Sequence, residues 1–271
     1  SIKGKKDQLN YMWRRDASQW ANSAPILFPI VGALKNDTCV INGKEYHMTQ
    51  HGFARHNEFE TNQVSDTEVI FSLKSNDEII KQYPFLFELN VTYRLVENKL
   101  TCHIEVKNKD HQPIYFQVGG HPASACPFME NESSNDYYLE FSENETCNRK
   151  IIDVEKRGMS RVEKPFFDNE KRFFVRQELF NTDAIVIKKF KSENIALKSL
   201  NHDKSIVFHM NGFDHVGLWA AKHVGGLIAI EPWVGHADYT DFNGEFKEKE
   251  SCVELPVGKN FEVEFAVEIN Q

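Results

Sequence analysis

Alternation of apolar and polar residues with a period of two recurs along the chain, and it constrains the fold more than any other feature. The clearest run lies near the C-terminal end and contains Phe261, Val263, Phe265, Val267 and Ile269. Further runs of the same kind are Val69 to Leu73, Phe87 to Leu95 and Leu100 to Val106. Successive side chains of a strand point to opposite faces, so this pattern predicts antiparallel strands with one buried face and one face in water.

Turn signals between these runs indicate how neighbouring strands connect. The dipeptide Asn42-Gly43 is typical of a type I′ turn and predicts a hairpin. Asn98 predicts a second tight turn, between a strand that ends near Val96 and one that starts near Leu100.

Helical periodicity is confined to two short stretches, Asp16 to Ala21 and Lys171 to Phe180. Many short strands with few short helices predict an all-β fold, a large antiparallel β-sandwich of two packed sheets. The length suits either one large all-β domain or two ordinary domains. Because the chain contains no repeat, low-complexity tract or Gly/Ser linker, residues 1–271 are expected to form a single domain.

Charge and cysteine content narrow the classes of partner and compartment. The formal net charge of -8 repels nucleic acid and anionic lipid on average. No apolar run is long enough to span a membrane, and the polar start Ser1 to Lys6 is unlike a signal peptide. Five cysteines, an odd number without C-x-x-C spacing, indicate free thiols in a reducing compartment, so we expect a cytoplasmic protein.

The first motif is the segment His51 to Arg55. His51 and Arg55 can both face a pocket, because the glycine between them permits close backbone approach. A histidine bonded to a loop and an arginine in a surface ion pair would explain the segment equally well. His47 and His56 lie nearby, but no third ligand stands at a diagnostic spacing, and no metal site is predicted.

The second motif, Gly119 to Ala123, follows the apolar run Ile114 to Val118, which predicts a buried strand. Its two glycines remove side chains where another group comes close, and they present His121 at the strand end. A hydrogen-bonded core histidine is the simpler alternative.

The third motif, Glu231 to Asp238, follows the apolar run Gly226 to Ile230. Burial beside Trp233 is expected to raise the pKa of Glu231, although a structural ion pair with an arginine would also account for the carboxylate. Trp219 and Trp233 fit either the core or a platform on which the C–H face of a sugar packs.

Together with Trp20 to Gly32 and Gly217 to Trp219, the three motifs resemble the aldose 1-epimerase (galactose mutarotase-like) superfamily, and most of all its LacX-like bacterial branch. The resemblance covers nearly the whole chain. It implies a β-sandwich of the supersandwich type and an isomerase that interconverts the α and β anomers of an aldose without a cofactor. Family members usually carry a further strand before the position of Ser1, and that strand is expected to be absent here.

The resemblance also implies roles for single residues. His121 would protonate the ring oxygen and Glu231 would take the proton of the C1 hydroxyl, while His51 would help to hold the ring oxygen. An unperturbed histidine titrates near pH ~6.5, which suits proton donation at neutral pH. The expected substrate contacts are Arg55, Trp219, Trp233 and Asp238. An aspartate that binds sugar hydroxyls is also expected, and Asp203 and Asp214 are equal candidates.

Three other functions compete with mutarotation of a free sugar. A hexose-6-phosphate 1-epimerase would need at least two basic side chains around the pocket, for which Arg14, Arg15 and Arg55 are candidates, whereas Arg55 alone would favour a neutral sugar. A carbohydrate-binding protein without turnover would use the same fold. A purely structural domain would have His51, His121 and Glu231 scattered.

Overall fold

The computed structural model describes residues 1–221 and 226–271, which consist mainly of strands and loops. The described strands, β1 to β19 in chain order, are Ile26–Leu27, Thr38–Ile41, Lys44–His47, Glu60–Ser65, Glu68–Lys74, Phe87–Val96, Lys99–Asn108, Ile114–Phe116, Val118–Gly120, Ala123–Cys126, Tyr137–Asp153, Gly158–Phe174, Ile185–Lys188, Asn194–Ser199, Ser205–Asn211, His215–Trp219, Gly226–Val234, Val253–Leu255 and Asn260–Asn270. The α-helix α1 is Asp77–Ile80, and the 3₁₀ turns are Lys35–Asp37, Ala54–His56, Ser134–Asp136, Gln177–Phe180 and Phe246–Glu248. Within these ranges no helix is long and apolar enough to cross a bilayer.

The alternating runs form the predicted strands. In β19 the apolar residues from Val263 to Ile269 are buried at every second position, in agreement with the pattern. Asn42 and Gly43 both adopt positive φ, 51° and 75°, as a type I′ turn between β2 and β3 requires. The turn at Asn98 joins β6 to β7 as expected. The all-β prediction is therefore confirmed.

The two predicted helices are wrong. Residues 17–19 form a single turn, and the stretch after Lys171 continues β12 as far as Phe174 before a 3₁₀ turn begins at Gln177. Phe173 lies opposite Leu139 in the β11–β12 hairpin, and both side chains are buried. Burial in the hairpin outweighs a helical preference, which is weak in a segment this short.

One large antiparallel sheet supplies both layers of the fold. Its strand order is β1-β9-β17-β16-β13-β11-β14-β15-β19-β7-β6-β5-β4, with β10 beside β17 and β12 beside β11. The long strand β11 carries the chain between layers, since residues 137–141 pair with β14 and residues 149–150 pair with β13. Leu139 and Ile206 on one side share a core with Val216 and Ile230 on the other, so the sheet folds over onto itself.

A second core forms at the other end of this sheet. The inner faces of β6, β7 and β19 pack on two small sheets, β2–β3 and β8–β18, around Phe28 and Phe116. All five cysteines are free thiols, as their number predicted.

Candidate active site

A cavity of about 400 Å³ collects residues from all three sequence motifs. Its described wall includes His51, Arg55, His121, Trp219, Glu231 and Trp233. The volume lies in the range of small-ligand sites. These residues are not scattered, which argues against a purely structural role for the three motifs.

Strand β9 can bring His121 to the cavity because its last two residues, Gly119 and Gly120, are glycines. It lies between β1 and β17, with Gly119 opposite Trp233. A Cβ on Gly119 would lie 2.8 Å from the Pro232 carbonyl oxygen, and one on Gly120 would lie 2.6 Å from the Phe265 ring. The glycines are therefore required by close packing, as the motif predicted.

Glu231 reaches the same cavity from β17. It lies opposite Gly217 of β16, where a Cβ would come within 2.6 Å of the Trp233 ring. The missing side chain leaves room for Trp233 to cover that face of the sheet, and both Glu231 and Trp233 are buried.

His121 and Glu231 form a close pair in the wall. His121 Nε2 lies 3.1 Å from Glu231 Oε2, but the two atoms are out of line for a hydrogen bond. Among the described residues neither His121 Nδ1 nor Glu231 Oε2 has a hydrogen-bond partner. Both polar groups are thus free to bond a ligand, which buried groups in a finished core rarely are.

Burial shifts the pKa values of the two residues in opposite directions. Loss of hydration, with a smaller contribution from the negative charge of Asp183, holds the pKa of Glu231 well above its usual value, as the sequence predicted. Loss of hydration, with the nearby His51 and Arg55, holds the pKa of His121 well below 6.5. The expectation of an unperturbed histidine is therefore wrong, because His121 is buried in an electropositive corner.

His51 is held as a neutral hydrogen-bond donor. Its backbone has a φ of 66°, and its N–H donates to the Gly32 carbonyl at 2.8 Å. Gly32 N–H in turn donates to His51 Nδ1 at 3.1 Å, so the hydrogen of the neutral ring lies on Nε2, which is 3.4 Å from the side-chain amide of Gln50. Burial and the charge of Arg55 lower the pKa of His51 to about 3. The ring lies 5.8 Å from that of His121, centroid to centroid.

Aromatic rings enclose His121. Trp20 stacks on it with a centroid distance of 4.7 Å, and Trp219 meets it edge-on at 5.7 Å. Trp20 lines the cavity and was not predicted as a site residue, although it opens the segment Trp20 to Gly32 that carries part of the family resemblance.

The wall contains the predicted Arg55 and two charged residues that no sequence motif marked, Arg157 and Asp183. Arg55 lines the cavity half-buried, and within residues 1–221 and 226–271 no carboxylate lies within 4.0 Å of it. Arg157 also lines it but is paired with Asp37 through bonds of 2.9 and 3.1 Å. Arg14 and Arg15 lie outside the described wall. Asp183 lines the cavity at the start of β13, where no sequence motif marked it.

Three predicted aspartates lie outside the described wall. Asp238 is buried and accepts hydrogen bonds from the Lys35 N–H at 3.0 Å and from the Lys249 ammonium group, so both of its oxygens are used. Asp214 bonds His215, Ser251 and the Gly235 N–H. Asp203 is likewise absent from the wall as described. Ala237, the neighbour of Asp238, does line the cavity.

Comparisons with known proteins agree with the fold and the motifs. The family model described as aldose 1-epimerase matches residues 1–254. Two LacX proteins of Lactococcus lactis subsp. lactis, plasmid and chromosomal, are each 35% identical over 244 residues, which cover 85% of this chain and 79% of theirs.

Solved structures extend the likeness to nearly the full chain. A galactose mutarotase related enzyme from Lactobacillus acidophilus superposes with a TM-score of 0.94 at 30% identity, covering 100% of this chain and 90% of that one. A galactose mutarotase-like protein from Lactobacillus casei gives 0.91 at 29% identity, covering 99% and 92%. A galactose 1-epimerase from Lactobacillus acidophilus shares the fold, with a TM-score of 0.69 at 14% identity over 97% and 86%. The chain belongs to the aldose 1-epimerase family and is an isomerase of the epimerase type.

Proposed function

We propose that this protein interconverts the α and β anomers of a neutral aldose by paired proton transfer at His121 and Glu231. The observation that carries the proposal is their juxtaposition. An imidazole and a carboxyl group, with Nε2 and Oε2 3.1 Å apart, face a sugar-sized cavity, and among the described residues His121 Nδ1 and Glu231 Oε2 have no hydrogen-bond partner.

The reaction needs one acid and one base in contact with the anomeric centre. His121 gives a proton to the ring oxygen O5 as the C1–O5 bond breaks, and Glu231 takes the proton of the O1 hydroxyl, which leaves an open-chain aldehyde. Rotation about the C1–C2 bond presents the other face of C1. O5 then attacks C1, the O5 proton returns to His121, and Glu231 returns its proton to O1, so the enzyme ends as it began.

The opposed pKa shifts of the pair fit this cycle. The reacting form has a protonated His121 and an ionised Glu231, and ring opening converts it into a neutral imidazole and a neutral carboxyl group. Burial favours the neutral form, since it lowers the pKa of His121 and raises that of Glu231. The two forms differ only by the position of one proton across 3.1 Å. Ring opening therefore discharges a pair whose two charges the buried site disfavours.

Neighbouring groups supply orientation. The Nε2–H of neutral His51 is a donor for the ring-oxygen side of the sugar, and Trp20 and Trp219 offer apolar faces on which C–H groups pack. Arg55 and Asp183 carry hydrogen-bonding groups for the hydroxyls.

The charge of the wall favours a neutral sugar over a phosphorylated one. Arg55 is the cation without a carboxylate partner among the described lining residues, because Arg157 is neutralised by Asp37. Asp183 would repel a phosphate dianion. A phosphate site needs more than one available cation or a cradle of backbone N–H groups.

Anomer exchange followed by NMR on α-glucose, α-galactose and glucose 6-phosphate tests the proposal. His121→Asn and Glu231→Gln are each expected to lower kcat by about 10²–10⁴-fold, the usual contribution of a positioned acid or base. His209→Asn is the matched control, since His209 also pairs with a glutamate, Glu268, at 2.9 Å but lies on β15 away from the cavity.

Each result has a defined meaning. Wild-type acceleration on the neutral sugars that is lost in both site variants and kept in the control supports the proposal. Sugar binding without acceleration would indicate a carbohydrate-binding protein instead. Acceleration that survives both substitutions would assign the chemistry to other residues, and a preference for glucose 6-phosphate would refute the argument from charge.

A further inference from the structure

A second cluster of chemically capable side chains lies apart from the described wall of the cavity. His215 on β16, His236 after β17 and Glu250 before β18 each offer one ligand atom, and these atoms lie within 4.8 Å of one another. The mechanism proposed above uses none of the three.

In each imidazole, Nδ1 already has a hydrogen-bond partner. His215 Nδ1 lies 2.7 Å from the Asp214 carboxylate, and His236 Nδ1 lies 2.6 Å from the Ala237 carbonyl oxygen. Both neighbours can only accept, so each Nδ1 carries a hydrogen and each Nε2 presents its lone pair when the ring is neutral. Metal-binding histidines are oriented in this way, with the second ring nitrogen bonded to a carboxylate or a carbonyl group.

The Nε2 atoms of both histidines have no hydrogen-bond donor opposite their lone pairs. In the part of the chain that the structure describes, neither His215 Nε2 nor His236 Nε2 makes a hydrogen bond. The two side chains are 0% and 2% exposed, respectively. A buried polar atom without a partner is costly, and two that converge on one carboxylate indicate a ligand between them.

The separation of His236 from Glu250 fits such a ligand. Nε2 lies 3.4 Å from Glu250 Oε2, without the direction of a hydrogen bond. Two ligand atoms at ~2.0–2.1 Å from a tetrahedral metal ion are about 3.3 Å apart. Glu250 Oε2 also accepts a hydrogen bond from Tyr239 and Oε1 accepts one from Lys188, with Lys150 Nζ 3.8 Å from Oε1, so these groups fix the position of the carboxylate.

We propose that His215 Nε2, His236 Nε2 and Glu250 Oε2 bind a divalent transition-metal ion, with zinc as the best fit. Two imidazoles and one carboxylate form a common zinc ligand set, whereas magnesium and calcium prefer oxygen ligands throughout. The ion links β16 to the segments that follow β17 and precede β18, and this cross-link stabilises the fold. In the β16–β17 pair, His215 lies opposite Trp233. The sequence predicted no metal site because these three ligands are not close together in the chain.

Zinc titration of the full chain, stripped beforehand with a chelator, tests the site by calorimetry. One equivalent is expected to bind to the wild type, and His236→Gln and Glu250→Gln are expected to weaken binding by about 100-fold or more, since loss of an orienting group alone costs ~10–100-fold. His209→Gln is the control, because His209 pairs with Glu268 outside the cluster, and its affinity should equal that of the wild type.

Cobalt bound to the wild type supplies a test that needs no variant. A tetrahedral site of this composition is expected to give ligand-field absorption in the visible range when Co²⁺ is added and to lose it when zinc follows. A wild type that binds no stoichiometric zinc, or zinc that binds equally well to His236→Gln, would overturn the proposal.

Discussion

Replacing Asp238 by asparagine is expected to destabilise the protein without weakening sugar binding. Asp238 and Lys249 form an ion pair in which each side chain is 3% exposed. Asparagine keeps the shape and can still accept from the Lys35 N–H, but it leaves the Lys249 ammonium group buried without a counter-charge. Removal of one partner from a buried pair costs about 3–5 kcal/mol.

That cost is large enough to measure in two ways. In a chain of this size roughly 2–4 °C of Tm correspond to each kcal/mol, so Asp238→Asn should lower Tm by about 6–20 °C. Urea unfolding followed by tryptophan fluorescence gives the free energy directly. The double variant Asp238→Asn with Lys249→Met should recover most of the loss, because the unpaired charge is gone.

Activity separates this explanation from a substrate contact. Below the lowered Tm, KM for the sugar should be unchanged in Asp238→Asn, since its carboxylate is bonded away from the described wall of the cavity. A raised KM together with a loss of less than ~1 kcal/mol would refute the reasoning and restore the sequence-based assignment of Asp238 to the sugar.

Three further predictions concern the cavity. Gly52→Ala should destabilise the protein more than Gly43→Ala. Both glycines have positive φ, which alone costs another residue ~1–2 kcal/mol, but only at Gly52 would a Cβ meet a carbonyl oxygen, at 2.2 Å. Urea unfolding of the two variants measures the additional loss at Gly52. Lowering the pH from 7.5 to 5.0 should reduce the free energy of unfolding by about 2 kcal/mol through His51, whose pKa in the folded protein is about 3. Asp183→Asn should move the basic limb of the pH–rate profile to lower pH, because the charge of Asp183 raises the pKa of Glu231.

The sign for His51 follows from proton binding. The unfolded chain binds a proton near pH 6.5 that the folded site refuses, so stability is complete above that pH and falls as the pH drops towards 3. A His51→Asn variant with the same pH dependence as the wild type would contradict this. An unchanged basic limb in Asp183→Asn, or equal losses for the two glycine variants, would contradict the other two predictions.

Local spacing was sufficient for the strands, whereas the site residues were predicted from the resemblance to the family. Alternation of apolar and polar residues with a period of two predicts a half-buried strand wherever it occurs. Strands β6, β7 and β19 could therefore be predicted from the sequence. Local pattern left a structural alternative open for each of the motifs around His51, His121 and Glu231, and their order along the chain, as in the family, favoured a single site. Helix prediction failed after Lys171, where pairing with a distant strand decided the conformation.

The sequence by itself determined the all-β class, the hairpins, the free thiols and the family, because each depends on local pattern or on motifs in order. Only the tertiary structure decided that Asp183 and Trp20 line the cavity, that Asp238 bonds Lys249 instead, and that His215, His236 and Glu250 converge. Those contacts join residues far apart in the chain, and the depth at which His121 and Glu231 are buried shifts their pKa values. The spacing of residues along the chain predicts neither which distant residues meet in space nor how much hydration each one loses.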